Sequence, residues 1–311
     1  MKKVFLTGGA GFIGSHLADF LLSQGIEVTV YDNLATGRRQ DVPKGCEFVE
    51  GDLLAPETLR KFLPGHDVVW HLAANTIMQG ATTDFDLLNN VVGTYNVLEA
   101  MRSCNVKQLL FSSTAAAYGD EGAKKLSETH GPMKPISLYA ATKLGAEALV
   151  SAYSHLFGIE AWIFRFANVV GGGMGHGVIY DFVQKLKKDP KHLEIWGDGK
   201  GLKPYFLVED CIRGMMTAYR SRPAGSYPSC DIYNLGCDTY TSVDAVAAIV
   251  MNEMDLKSVE VTYTGGRRGF PGDVPIVNYD ATKMNLIGWW VRTSSDKAVR
   301  AAAYRIIRGL R

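Results

Sequence analysis

The chain carries almost no net charge, few cysteines and no long apolar run. Lys and Arg number 33 against 32 Asp and Glu, a formal net charge of +1 over 311 residues. No long basic tract interrupts this balance, so bulk attraction to nucleic acid or to an anionic membrane is excluded as the organising physics. Five cysteines, Cys46, Cys104, Cys211, Cys230 and Cys237, are scattered and form no Cys-x-x-Cys pair. An odd, dispersed set argues against a disulfide framework or a zinc site, and no other metal centre is expected. Free thiols in a reducing cytosol are the expectation, and with them a cytoplasmic location. No run of about 18 apolar residues suggests a membrane span. The N-terminal apolar segment, Val4-Phe5-Leu6, is too short for the hydrophobic region of a signal peptide. Internal repeats, low-complexity tracts and long linkers are also missing. Hydrophobic residues make up 47% of the chain, enough for one large domain or two smaller ones.

A glycine turn comes first. Val4-Phe5-Leu6 reads as a buried strand, and Gly8, Gly11 and Gly14 follow at intervals of three. The first glycine permits a tight turn, the second a close approach to a pyrophosphate, and the third close packing of a helix on the strand. An amphipathic helix follows, with Ile13, Leu17, Phe20 and Leu21 apolar. Its free N–H groups and dipole favour phosphate. After the next strand, Glu27–Tyr31, stands Asp32, where an acid can bond the ribose hydroxyls of an adenosine. A carboxylate there disfavours a 2′-phosphate, so NAD is expected rather than NADP. Arg38 and Arg39 nearby read as a solvated loop.

Strands and helices then alternate. Strands are expected at 47–52, 67–74, 108–113 and 161–166, with helices at about 84–104 and 139–157. In the first of these helices Leu87, Val91, Leu98 and Met101 form the apolar set. This alternation predicts a Rossmann-type α/β fold, a doubly wound parallel sheet covered on both faces. Ligands of such sheets bind beyond the carboxyl ends of the strands. That rule gathers Gly8–Gly14, Asp32, Asp52, Ala73, Ser112–Thr114 and Asn168 along one edge.

Tyr139 and Lys143 stand four residues apart in helical sequence, on one face of one helix. A phenol ionises near pH 10, and an ammonium beside it favours the phenolate. The pair is therefore a candidate general base.

Several stretches occur in one order: Thr-Gly-Gly-Ala-Gly-Phe-Ile-Gly-Ser-His-Leu, Tyr-Asp-Asn-Leu-Ala-Thr-Gly, Gly-Asp-Leu, His-Leu-Ala-Ala, Asn-Val-Val-Gly-Thr-Tyr-Asn-Val-Leu-Glu-Ala, Phe-Ser-Ser-Thr-Ala-Ala-Ala-Tyr-Gly and Tyr-Ala-Ala-Thr-Lys. Together they resemble the extended short-chain dehydrogenase/reductases that act on nucleotide sugars, the epimerase/dehydratase family. The likeness covers nearly the whole chain and is greatest to the compact UDP-galactose 4-epimerase branch. The resemblance makes Tyr139 the catalytic base, Lys143 its electrostatic partner and ribose ligand, and Thr114 the hydroxyl on the reacting sugar oxygen. It assigns NAD contacts to Gly8, Gly11, Phe12, Ile13, Gly14, Asp32, Asn33, Asp52, Leu53, Ala73, Ala74, Asn90 and Ser112, besides Tyr139 and Lys143. Asn90 reads equally as a polar group in helix packing.

The resemblance also implies a smaller α/β lobe for the nucleotide sugar, a UDP-sugar first of all. The NAD-binding domain is expected over 1–167, with the chain returning to it at about 204–237. The substrate lobe then comprises 168–203 and 238–311. Its expected contacts are Thr114, Asn168, Gly177, Val178, Glu194, Trp196, Lys203, Tyr205, Arg268 and Asp273. Trp196 reads either as a wall of the base pocket or as core. Lys203-Pro204-Tyr205 stands where many relatives have Arg-Asp-Tyr, so a point charge replaces a bidentate clamp. Thr76-Ile77-Met78-Gln79 lacks a basic residue that many relatives carry.

Related dehydratases place an Asp-Glu pair beside the catalytic hydroxyl. Ala115 and Ala116 stand there instead, which argues against elimination of water. The favoured expectation is 4-epimerisation of a UDP-glucose or UDP-galactose type substrate. Tyr139 takes the 4-hydroxyl proton as hydride passes to NAD, the keto sugar turns, and hydride returns to its other face. Epimerases of uronic or N-acetylated sugars, keto-sugar reductases and a non-catalytic NAD sensor are the alternatives. A homodimer is expected through the 84–104 and 139–157 helices. Leu87, Leu88, Val91, Val92 and Tyr95 broaden the apolar surface of the first beyond one stripe.

Overall fold

Seven of the apolar runs become strands of one sheet in the computed structural model, which describes residues 1–76, 83–222 and 229–311. They are β1 (Lys3–Thr7), β2 (Glu27–Asp32), β3 (Glu47–Glu50), β4 (Val68–His71), β5 (Gln108–Thr114), β6 (Glu160–Phe166) and β7 (Cys230–Leu235). The order across the sheet is β7-β6-β5-β4-β1-β2-β3. β1 pairs in parallel with β2 and with β4, β2 with β3, and β4 with β5. The reversal of direction at β1 is the topological switch of a doubly wound sheet. Runs such as Val4-Phe5-Leu6 and Val68-Val69-Trp70 are wholly buried, because both faces of the sheet are covered.

The chain divides into two compact units. The first holds Met1–Ala117, Leu138–Arg165 and Ala218–Tyr233. Its core gathers Phe5, Val69, Leu109, Phe111, Val97, Leu98, Met101, Val150 and Ile163. The second holds Tyr118–Ser137, Phe166–Thr217 and Asn234–Arg311. Residues 118–137 thus pack with the second unit, where the Tyr118 hydroxyl donates to Asn234 Oδ1 at 2.7 Å. The second unit's helices Val178–Lys188, Val243–Glu253 and Ser295–Arg308 bury Phe182, Val183, Val246, Val250, Val299 and Ala302 together. Ser242 caps the middle helix by accepting the Ala245 N–H at 3.1 Å.

One expected helix departs from the regular pattern. Between Thr83–Asp86 and Gly93–Ser103 the backbone makes a π-helical stretch, Leu87–Val92. The extra residue per turn rotates the faces. Leu87, expected in the apolar stripe, is exposed, while Asn90 is fully buried and Leu98 and Met101 face the core as expected. The Leu138–Phe157 helix is regular, yet its buried face carries charge: Lys143 and Glu147 lie there with Ala140, Ala146 and Val150. All five cysteines are free thiols. Among the described residues no helix is long and apolar enough to cross a membrane.

Candidate active site

The glycine turn after β1 has the geometry that its spacing predicts. Gly8 has φ +72°, and a Cβ there would lie 2.6 Å from the Ala73 nitrogen. A Cβ on Gly14 would lie 2.1 Å from the Gly8 carbonyl oxygen. Gly11 is different: its nearest neighbour would be that same oxygen at 3.3 Å, with nothing else in range. Two glycines are therefore required by the protein's own packing. The third leaves its Cα side open, as a phosphate seat requires. Gly11 also caps the helix Phe12–Ser23, and Phe12 and Ile13 form its first turn.

Asp32 ends β2 and is 9% exposed. Its carboxylate accepts the Ala10 N–H at 2.9 Å and the Leu34 N–H at 2.8 Å. Burial raises its pKa, and the two N–H bonds oppose that rise. Each oxygen keeps a second lone pair for a ribose hydroxyl. At the neighbouring strand end Asn33 Nδ2 donates to Asp52 Oδ2 at 3.0 Å. Leu53 is buried in the core, so what it can offer a ligand is its backbone. Ala73 and Ala74 follow β4 and are half-buried, and the Ala73 N–H donates to Thr7 Oγ1 at 3.3 Å. These groups all lie at the carboxyl ends of parallel strands in one unit.

Thr114 ends β5, and Tyr139 opens the Leu138–Phe157 helix. The two side chains are hydrogen-bonded to each other. Thr114 Oγ1 also accepts the Ala116 N–H at 3.2 Å. Burial and the Asp86 carboxylate push the Tyr139 phenol up to about 12, and the Thr114 bond opposes them. The phenol is thus raised, where a lowering by Lys143 was expected. Lys143 is itself only 2% exposed, and burial brings it down to about 7 while the Glu147 carboxylate pulls the other way. Its ammonium stands 4.1 Å from the centre of the Phe111 ring.

Asn90 and Ser112, expected at the cofactor, also make hydrogen bonds within the protein. Asn90 Oδ1 accepts the Asn75 N–H at 2.8 Å, and Nδ2 donates to Asn75 O at 3.2 Å and to Thr142 Oγ1 at 3.1 Å. These three bonds tie the loop after β4 to the helix of Tyr139. Ser112 donates to the His71 carbonyl at 3.2 Å, joining β5 to β4. The segment Ile77-Met78-Gln79 lies outside the described residues.

Sequence reasoning missed three groups beside this centre. His71 is buried between Thr7 Oγ1 at 2.7 Å and Thr94 Oγ1 at 3.0 Å. Burial, reinforced by the Lys143 charge, lowers it to about 3, so it is neutral. Glu147 and Arg165 form a buried ion pair at 2.7 Å. A signal existed for Glu147, since it continues the Tyr139–Lys143 stripe by one more turn. Nothing local announced Arg165, which sits 18 residues away on β6.

The second unit holds most of the residues expected to meet a nucleotide sugar. Lys203 is ion-paired with Asp273, whose other oxygen accepts the Gly269 N–H at 3.2 Å. Arg268 donates to Asp120 at 2.8 Å, and Arg267 approaches the same carboxylate at 3.5 Å. Trp196 is 41% exposed, which excludes the core reading. Its indole N–H donates to Glu194 at 3.0 Å, and Lys185 Nζ lies 4.9 Å from the centre of one of its rings. A Cβ on Gly197 would fall 3.2 Å from the Arg268 carbonyl carbon, so the Trp196 turn abuts the arginine loop. Gly177, with φ +94°, starts the helix whose first residue is the half-buried Val178. Asn168 is half-buried and donates to Pro204 O at 3.4 Å. Tyr205 meets this group at its phenol, on which the Asp273 carboxylate acts. It is 3% exposed within the hydrophobic core of the unit, and burial raises its phenol well above the usual range.

Comparison with known proteins follows the same lines. The model of the NAD dependent epimerase/dehydratase family matches residues 4–236. A UDP-glucose 4-epimerase from Lactobacillus helveticus is 31% identical over 97% of this chain and 96% of its own length. A crystal structure of a UDP-galactose 4-epimerase superposes with a TM-score of 0.90 at 35% identity, covering 99% of this chain and 100% of that one. The UDP-glucuronic acid 4-epimerase of Bacillus cereus, solved with UDP-glucuronic acid and NAD, gives a TM-score of 0.87 at 26% identity over 98% and 99% of the two chains.

Proposed function

The chain belongs to the NAD-dependent epimerase/dehydratase family, and from that premise we propose that it is a UDP-sugar 4-epimerase of the UDP-glucose/UDP-galactose type, working in the cytoplasm. One observation carries the choice of reaction. Thr114 and Tyr139 meet through their hydroxyls, while the residues that follow Thr114 are Ala115 and Ala116 in a turn, with no carboxylate for eliminating water.

The open side of Gly11, the helix N-terminus and Asp32 fit NAD. Bound there, NAD supplies the hydride acceptor and donor. The protein's own groups manage the proton and the orientation. Thr114 holds the 4-oxygen of the sugar, and Tyr139, as phenolate, removes the 4-hydroxyl proton and later returns it. Lys143, as ammonium, stabilises that phenolate and bonds the nicotinamide ribose. In the second unit Trp196 and Glu194 serve the base. The diphosphate takes Lys203 and Arg268 from the carboxylates of Asp273 and Asp120. The exposed apolar residues Phe85, Leu87, Leu88 and Tyr95 belong to a homodimer interface with a second copy of the chain.

The test is a panel of UDP-glucose, UDP-galactose, UDP-N-acetylglucosamine, UDP-glucuronic acid and dTDP-glucose scored by proton NMR for inversion at the 4-position. Interconversion of the first two, with deuterium at carbon 4 kept in place, is the expected result. Inversion of only the uronic or N-acetylated sugar moves the assignment to that substrate. Loss of the label to solvent excludes transient oxidation at carbon 4.

A further inference from the structure

Glu147 is buried to 4% exposure, and groups from two different strands converge on its carboxylate. Arg165, from β6, donates from Nε at 3.1 Å and from its terminal nitrogen at 2.7 Å. Ser113, from β5, donates its hydroxyl to the same carboxylate. Ser113 immediately precedes Thr114, and Glu147 stands one helical turn beyond Lys143 and two beyond Tyr139. The carboxylate therefore locks the strand end carrying Thr114 to the helix carrying the tyrosine and the lysine.

We propose that Glu147 is a positioning residue of the catalytic centre, which sets Thr114 against Tyr139 through Ser113 and supplies the negative charge that keeps Lys143 an ammonium. The inference rests on the reading of Tyr139 and Lys143 as the catalytic pair. Other groups around Lys143 do not provide that charge. On β4, His71 is buried and neutral. On β5, Phe111 offers only the face of its ring. On β6, Arg165 is a cation that reaches this centre through Glu147. On the lysine's own helix burial holds Tyr139 as a neutral phenol in the cofactor-free protein, and the Asp86 carboxylate bears on that phenol. Glu147 is the carboxylate whose charge favours protonated Lys143. Neighbours four apart on a helix are about 5–6 Å apart at Cβ, and at that range an ion pair in a protein interior is worth one to two pH units, roughly.

The sign follows from the charge. Activity that needs the Lys143 ammonium is lost as pH rises through its pKa. Removing the Glu147 charge lowers that pKa, so the alkaline limb of kcat moves to lower pH. The experiment compares native protein with Glu147→Gln, Glu147→Asp, Ser113→Ala and Tyr139→Phe, all loaded with NAD, in UDP-galactose turnover against pH. For Glu147→Gln the limb should fall by about one unit or more, with kcat at pH 8 down roughly tenfold or more and KM little changed. Glu147→Asp, which keeps the charge, should restore the limb. Ser113→Ala, which cuts only the strut to β5, should lower kcat with the limb in place. A second readout uses no turnover: the rate at which formaldehyde and borohydride methylate Lys143 in the NAD-free protein, followed by peptide mass spectrometry. Its pH midpoint should fall by the same amount in Glu147→Gln. If that variant does not fold, Glu147→Gln/Arg165→Gln removes both buried charges and should still show the lowered limb and midpoint. A native limb and midpoint in the folded variant overturn the proposal. Native turnover by Tyr139→Phe overturns the reading beneath it, and the proposal falls with it.

Discussion

Gly11→Ala separates the cofactor seat from the fold. The substitution adds one methyl group at the N-cap of the helix Phe12–Ser23, where φ is −79° and ψ 177°, a conformation open to alanine. Inside the protein the new Cβ meets only the Gly8 oxygen, at 3.3 Å. Alanine is a poorer N-cap than glycine, which costs at most about 1 kcal/mol of stability. On its open side the methyl occupies the place where a pyrophosphate approaches the backbone. Displacing the phosphates by about an ångström breaks one or two charge-assisted hydrogen bonds, each worth about 1.5–3 kcal/mol. Even one such bond amounts to roughly 10- to 200-fold in Kd. Calorimetric titration of NAD into cofactor-stripped protein reads this loss, and a urea melt reads the stability. Gly14→Ala is the contrasting variant. Its Cβ falls 2.1 Å from Gly8 O and 2.8 Å from the Gly9 Cα, both backbone atoms with no rotamer to escape into. The helix propensity gained from alanine, about 1 kcal/mol, is outweighed by overpacking that costs about 1–3 kcal/mol. Gly14→Ala should therefore lose stability and NAD affinity together. A Gly11→Ala protein that binds NAD with native affinity would refute the seat.

Other perturbations follow from the same geometry. Tyr139→Phe should fold and bind NAD but lose about 10²–10⁴-fold in kcat, as read by coupled epimerase assay. Acid should destabilise the protein in part through His71. Its native pKa, about 3, lies below the unfolded value of 6.5, so the unfolded chain takes up the proton first. That contribution to stability is intact above pH 6.5 and is lost at about 1.4 kcal/mol per unit as pH falls toward 3. Urea midpoints measured from pH 7 to 4 should show this slope, and His71→Gln should flatten it. Leu88, 41% exposed on the proposed dimer face, should convert the protein to monomer in sedimentation runs when changed to glutamate, with a monomeric native protein counting against the interface.

What could be read from the sequence is what the backbone writes locally. The glycine spacing, the acid after β2 and the tyrosine–lysine stripe each depend on a few neighbouring residues, and their geometry appears in place. Pairings across long separations had no such signal. Arg268 meets Asp120 across 148 residues, Lys203 meets Asp273 across 70, and Arg165 reaches Glu147 from another element. Each of the two expected phosphate cations thus has a carboxylate partner that only the closed fold reveals. Tyr205, expected in the same set, pairs its backbone with Asn168 in a short parallel ladder and packs its ring in the core, with its phenol under the charge of Asp273.

The π-helical stretch explains why the 84–104 segment resisted a reading from periodicity. A helix that kept 3.6 residues per turn would carry Leu87 on the same stripe as Leu98 and Met101. Widening the turn over Leu87–Val92 swings Leu87 outward, while Asn90 keeps the buried face it would share with Thr94, Val97 and Met101 in a regular helix. There Asn90 bonds both backbone groups of Asn75 and the hydroxyl of Thr142, while Asp86 accepts from the Asn75 side chain at 2.7 Å. Asp86 is also the carboxylate that raises the Tyr139 phenol. One segment thus connects an exposed apolar surface, the loop after β4 and the helix that presents the proposed catalytic tyrosine. An apolar-periodicity rule sees only the first of these, because the other two depend on polar groups buried on the helix's inner face.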